Sequence, residues 1–136
     1  MKSKMFVNVN KKKIKDKRGF ILPLSDVNSK SVSLLKSGVG AIRANHYHKT
    51  DWHYIYVLKG SFIYFYKKKN EKKTNHVIVK KGEAIFTPPK LWHAVYHHKP
   101  TEMIVISKNF RDRKTYEKDT VRVNFVSKLD VKKVLK

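Results

Sequence analysis

The stretch "NHYHKTDWHY", residues 45 to 54, places three histidines within eight positions of a chain that has no cysteine. His46 and His48 are separated by one residue, so on an extended strand both side chains point to the same face. His53 opens the following strand, with Ile55 and Val57 on its face. Further on, His93 starts another strand and shares its face with Val95 and His97. Two histidines from one strand, one from its hairpin neighbour and one from a distant strand can build a metal site at the mouth of a barrel. Imidazole suits iron, nickel, copper and zinc and tolerates manganese. Without thiolates, any metal here must be held by histidine and carboxylate. Taken alone, an H-x-H pair fits two solvated imidazoles on a strand face equally well, so the surrounding sequence has to decide.

That surrounding sequence reads as strand after strand. "SVSLLKS" (31–37), "GAIRANHYH" (40–48), "WHYIYVLK" (52–59) and "SFIYFYKKK" (61–69) are followed by "NHVIVKK" (75–81), "EAIFTPP" (83–89), "WHAVYHH" (92–98) and "EMIVISK" (102–108). Most are rich in Val, Ile, Phe and Tyr and are separated by short turn segments such as "LKGS" (58–61) and "KKNEKK" (68–73). Helical periodicity is almost absent; "RDRKTYEKD" (111–119) has room for a turn or two. Many short strands in one small domain predict an all-β sandwich or barrel.

The 136 residues form one domain by the length prior, 1–136, with a core over about 20–124, a polar N-terminal dozen expected to fray and a short C-terminal tail. There is no apolar h-region at the start and no apolar run approaching membrane-spanning length, which predicts a cytoplasmic protein with no membrane role. The net charge of +22 favours anionic ligands. The excess is nearly all lysine, however, whereas specific phosphate and base recognition favours the bidentate fork of arginine, which argues against nucleic acid as the main partner.

The spacing also reaches a known family. Gly40, His46, His48, His53 and Gly60 resemble the first cupin motif, G-x5-H-x-H-x(3,4)-E-x6-G, with His53 in place of the usual Glu. Gly82, Pro88, Lys90, His93 and His97 resemble the second, G-x5-P-x-G-x2-H-x3-N, with Lys90 replacing Gly and His97 replacing Asn. The resemblance implies a single jelly-roll β-barrel, often paired into a homodimer, and a divalent metal (Fe, Mn, Ni or Zn) held by His46, His48, His53 and His93. Trp52 and Trp92, each one residue before a proposed ligand, face the opposite way and would suit a partner surface or the N-terminal segment. Replacing Glu by His53 would remove the anionic ligand; Asp51 could substitute only if its loop bends.

Within the family, "DKRGFILPLSD" (16–26) and "IRANHYHK" (42–49) look like the start of cupins that act on nucleotide sugars, where Arg18 and Arg43 would be substrate contacts. The implied chemistry is epimerase- or isomerase-type, with a base and an acid working beside a carbonyl. His97 is the expected base and Tyr64, alternating with an inward Phe62, the expected acid. Metal-free cupin epimerases use a His–Asp pair, and no aspartate stands at an obvious position for one. Two other readings remain open: a non-haem metal-dependent dioxygenase or lyase acting on a small organic acid, and a non-catalytic small-molecule-binding cupin.

Overall fold

A computed structural model describes residues 5–136. Twelve strands run β1 (Phe6–Asn8), β2 (Ile14–Asp16), β3 (Gly19–Ile21), β4 (Ser31–Ser37), β5 (Ile42–His48), β6 (His53–Lys59), β7 (Ser61–Lys67), β8 (Asn75–Lys80), β9 (Glu83–Thr87), β10 (Trp92–Tyr96), β11 (Thr101–Ser107) and β12 (Thr120–Arg122). Among the described residues a short 3-10 helix (Val9–Lys12) follows β1, and two α-helices, α1 (Arg113–Asp119) and α2 (Lys128–Leu135), lie towards the C-terminus. One five-stranded sheet has the order β1-β9-β6-β11-β4 and the other β12-β5-β10-β7-β8; β2 and β3 form a separate hairpin. The expected jelly roll is present. It is two facing antiparallel sheets with, among the described residues, no ladder between them, rather than a barrel closed by hydrogen bonds.

The core between the sheets joins Ile55, Val57, Ile85 and Met103 of one to Phe62, Tyr64, Tyr66, Val77, Val79 and Val95 of the other. Strands β6 and β7 are almost continuously apolar, as befits strands covered on both faces. On the outside of the second sheet, Val126 and Val131 pack on Ile63, Phe65 and Ala94. On the outside of the first, Val9 packs with Tyr56 and Ala84, next to Leu22 and Leu24. Described residues on both sides of the expected core, about 20–124, thus contribute to the packing. Met5 and Val9 are buried and β1 pairs with β9; residues 1–4 lie outside the described residues. The helix α2 was not anticipated; Ser127 and Asp130 cap it reciprocally. Trp92 packs on Phe125 of the C-terminal segment, and Trp52 on Phe86.

The motif glycines have a backbone reason. Gly40, Gly60 and Gly82 all have positive φ, and Gly82 N–H donates to the Val57 carbonyl while Lys81 N–H donates to that of Gly60. At Gly60 a Cβ would run into the Pro100 carbonyl oxygen. Lys90, which stands where the motif has glycine, also sits in the left-handed region at φ 68°. Its N–H donates to the His48 carbonyl at 2.7 Å, so the strained turn abuts the histidine strand. Lys90→Gly is expected to raise stability by up to about 1 kcal/mol, the left-handed penalty less the extra freedom of glycine in the unfolded chain. A denaturant midpoint that falls would contradict this. Among the described residues, no helix is long and apolar enough to cross a membrane.

Candidate active site

Strand pairing puts the histidines together. His93 of β10 lies opposite His46 of β5, and His48 lies opposite Thr120 of β12. Just before His46, Ala44 and Asn45 both have positive φ and the β5–β10 register shifts. This bulge re-aims the strand's end, and the Asn45 side chain holds it to the C-terminal segment through both the N–H and the carbonyl of Val126. The His46 ring centroid lies 4.6 Å from that of His48 and 4.8 Å from that of His93. One ring nitrogen from each of the three falls within 4.8 Å of the others.

Their tautomers follow from the hydrogen bonds. His93 Nδ1–H donates to the Leu91 carbonyl at 3.0 Å, which leaves the lone pair on Nε2. The Thr120 hydroxyl gives its proton to the Tyr116 carbonyl at 2.6 Å, so at 3.3 Å from His48 Nδ1 it accepts. The lone pair of His48 is then on Nε2, which is buried without a hydrogen-bond partner among the described residues, as is His46 Nδ1. Burial, and then the neighbouring imidazoles, hold His46 uncharged, with its pKa pushed down to about 3. Burial and His53 take His48 down to about 4. His93 is lowered as well, again by burial first and His46 second. Neutral imidazoles with free lone pairs are what a divalent metal or a transferred proton requires.

The structure gathers three of the four expected ligands. The fourth, His53, is adjacent, its ring centroid 4.4 Å from that of His48, but its Nε2–H donates to Asp51 Oδ2 at 3.0 Å. The loop at residues 49–52 does bend, and the aspartate that the sequence reading set aside is 3% exposed and paired with a histidine. Its other oxygen, Oδ1, accepts the Asn109 N–H at 3.0 Å. Burial pushes the Asp51 carboxyl up, but the His53 and Asn109 hydrogen bonds outweigh it and hold the group below the usual carboxylate range. The nearness of Asp51 to His53 in sequence is the signal that was available; its direction depends on a turn that pattern reading does not give.

His46, His53 and His93 open onto a cavity of about 350 Å³ between the sheets, lined also by Arg43, His97, Arg111 and Tyr116, with Ile55, Val95 and Met103 as its apolar wall; His48 does not line it. Among the described residues no carboxylate lines it. His97 is where the sequence reading expected it, fully buried, with neither ring nitrogen hydrogen-bonded; burial, then Arg43, push it down to about 4. Arg43 is steadied by Ser37, whose hydroxyl accepts from its Nε at 3.0 Å.

Two expected residues lie elsewhere. Arg18 is exposed on the β2–β3 hairpin, paired with Asp16 at 2.6 Å, and does not line the cavity. Tyr64 is fully buried in the core, its hydroxyl 2.6 Å from that of Thr87, and it does not line the cavity either. The tyrosine that does is Tyr116, on α1, stacked on His53 at 6.4 Å and 5.4 Å from His48 between ring centroids. The Arg111 guanidinium lies 3.6 Å from the centre of its ring. Tyr116 was missed because it belongs to a polar helical turn outside the strand pattern.

A family model described as "Cupin domain" matches residues 34–107, a little over half of the chain. No curated protein matches by sequence. Among solved structures, a sugar 3,4-ketoisomerase from Thermoanaerobacterium thermosaccharolyticum in complex with TDP is 19% identical, with a TM-score of 0.70, over 87% of this chain and 86% of that one. A TDP-quinovose 3,4-ketoisomerase from Campylobacter jejuni is 16% identical, with a TM-score of 0.71, over 87% and 91%. A dTDP-4-dehydrorhamnose 3,5-epimerase from Sulfolobus tokodaii is 18% identical, with a TM-score of 0.66, over 84% and 74%. At these identities the likeness is one of fold.

Proposed function

The chain belongs to the cupin domain family, and from that premise we propose that its cavity binds a nucleotide-linked keto sugar and moves a proton between carbons flanking the carbonyl. The observation that carries this reading is the set of uncharged imidazoles, His46, His93 and His97, facing a cavity that also holds two arginines and, among the described residues, no carboxylate. Support also comes from fold neighbours named as ketoisomerases and an epimerase on such substrates.

The chemistry needs a base at the carbon and an acid at the oxygen. In a 4-keto to 3-keto isomerisation, a histidine takes the proton from C3 while an acid protonates the C4 oxygen, leaving an enediol. A proton is then delivered to C4 and the C3 hydroxyl loses its own, so two protons are taken and two returned without any redox partner. His93 Nε2, on the cavity wall, is the acceptor, since its Nδ1–H is fixed by the Leu91 carbonyl. His97, just past the end of β10, is the remaining proton carrier, and the Tyr116 hydroxyl faces the oxygen that gains charge. Burial raises Tyr116, and Arg111 and Arg122 pull it back. Arg43 and Arg111 hold the diphosphate. The cluster resists protonation because its members are desolvated and repel one another when charged. A bound dianion beside it relieves that penalty, so proton transfer waits for substrate.

The residues also fit a divalent metal, because two of the three converging histidines carry buried ring nitrogens with no partner. His46, His48 and His93 would hold it, and it would supply Lewis-acid polarisation of the keto oxygen. Asp51 is committed to His53 and Asn109.

Mass action provides the test, since a ligand at 100 times its Kd stabilises the folded state by about 2.7 kcal/mol. TDP in excess is expected to raise the melting temperature by several degrees, and Arg43→Ala to remove most of that shift. No shift with TDP in the wild type would overturn the nucleotide part of the proposal.

A further inference from the structure

The segment from Lys108 to Thr120 crosses the site as a strap and brings Tyr116 and Thr120 to the histidines. Both of its ends are fastened to one short loop, residues 49–52. At the first end, Lys108 N–H donates to the Trp52 carbonyl at 3.2 Å, Asn109 N–H to Asp51 Oδ1 at 3.0 Å and Asn109 Nδ2 to the Thr50 hydroxyl at 3.1 Å. At the other end a single residue does most of the fastening. Asp119 Oδ1 accepts from Thr50 N–H at 2.9 Å and from the Thr50 hydroxyl at 2.7 Å. Its Oδ2 accepts from Asp51 N–H at 2.9 Å, and its backbone carbonyl accepts Lys49 N–H at 2.8 Å. Four donors from three consecutive loop residues therefore end on Asp119.

This loop carries the Asp51 carboxylate to His53. A turn of this length outside any strand or helix has no hydrogen-bond ladder to stiffen it, yet Asp51 has to be held, with its loop bent, at 3.0 Å from the His53 ring. We propose that Asp119 is a positioning residue of the site: by clamping Thr50 and Asp51 it holds the Asp51 carboxylate on His53 and so fixes the ring as its Nε2–H tautomer, with the lone pair on Nδ1. The same residue ties the strap that carries Tyr116 to the loop that carries Asp51, so that the stacked pair Tyr116–His53 is set from one anchor. This inference rests on the proposed function only for its kinetic consequence; the tautomer is independent of it.

Asp119→Asn keeps the size of the side chain but turns one acceptor into an NH₂ donor, which would face either the Asp51 N–H or the Thr50 donors. The test is long-range proton–nitrogen NMR on protein labelled in its histidine rings, which reads each tautomer directly. Wild type is expected to show His53 protonated on Nε2. Asp119→Asn is expected to lose that preference, as Asp51→Asn does, while Asp130→Asn in the distant cap of α2 leaves it intact. Thr50→Val removes one of the clamp's bonds and is read in the same way should Asp119→Asn fail to fold. In activity, Asp119→Asn is expected to lower turnover by about 10²-fold, the cost of misplacing a group by an ångström, with KM nearly unchanged. A His53 signal unchanged in Asp119→Asn, or in Thr50→Val where that variant stands in, but altered in Asp51→Asn would overturn the positioning role. So would a wild type without the Nε2–H form. Failure of the sugar reading would appear differently, as wild-type protein with the expected tautomer and no turnover of a keto sugar nucleotide.

Discussion

His93→Gln is expected to slow proton exchange at the carbons beside the substrate's carbonyl by roughly 10²- to 10⁴-fold, the usual contribution of a positioned acid–base group, while leaving TDP binding almost unchanged. His93 is 3% exposed, lies opposite His46 across β5–β10 and has its tautomer set by the Leu91 carbonyl. Its Nε2 is therefore a pre-aimed lone pair, and the carbonyl on the other side of the ring steadies the imidazolium that forms. Glutamine is similar in length and can still donate to Leu91, but its amide has no comparable basicity. The nucleotide contacts assigned to Arg43 and Arg111 do not involve this side chain, so the TDP-induced rise in melting temperature should persist. The measurement is a pair of numbers, exchange rate and thermal shift, for each protein. Exchange within about threefold of wild type would remove His93 from the proton path; loss of both readouts would mean that the substitution had damaged the cavity itself.

The second large effect concerns acid, in protein freed of metal by chelator. His97, His48 and His46 are uncharged in the folded state, with pKa values pushed down to about 4, about 4 and about 3, chiefly by burial. In the unfolded chain each returns to the ordinary 6.5. A depressed histidine means that, once the pH falls below 6.5, the unfolded state binds a proton that the folded state refuses. Stability is then lost with falling pH until the folded pKa is reached. A pKa moved from 6.5 to about 4 is worth about 3 kcal/mol and one moved to about 3 is worth about 5 kcal/mol, so the three together approach the whole stability of an ordinary domain. Unfolding free energy from denaturant titrations should be flat above pH 7 and fall steeply between about pH 6.5 and 4. His97→Phe, which fills a similar volume beside Phe62 without titrating, should flatten part of that slope. A stability that holds constant down to pH 4.5 would show that these rings are hydrated or charged in the folded protein.

Much of this was legible in the residues. The eight main strands follow from β-branched and aromatic runs cut by short turns, and the motif glycines mark the positive-φ corners that tie the sheets together. The triad His46, His48 and His93 was readable because same-face spacing on strands is a rigid rule. What failed was whatever depended on cover or on loops. The α2 helix and the packing of Val9 were invisible because both conceal outer sheet faces, and an apolar strand does not say what covers it. Tyr64 was placed on the correct, inward face, yet inward includes both core and cavity, and its hydroxyl ended on Thr87. The pairing of Asp51 with His53 depends on a bent loop clamped from residue 119, a long-range contact with no local signature.

Movement of protons on a keto sugar nucleotide in this cavity would be recorded by deuterium incorporation. The protein is incubated in D₂O with TDP-4-keto-6-deoxyglucose, once as purified and once after chelation, and the recovered sugar is examined by NMR and mass spectrometry. Deuterium is expected at a carbon beside the carbonyl, with the isomerised or epimerised sugar accumulating, and both are expected to be lost in His93→Gln. Substrate recovered unlabelled and unconverted from both preparations, by protein whose melting temperature TDP leaves unmoved, would contradict it.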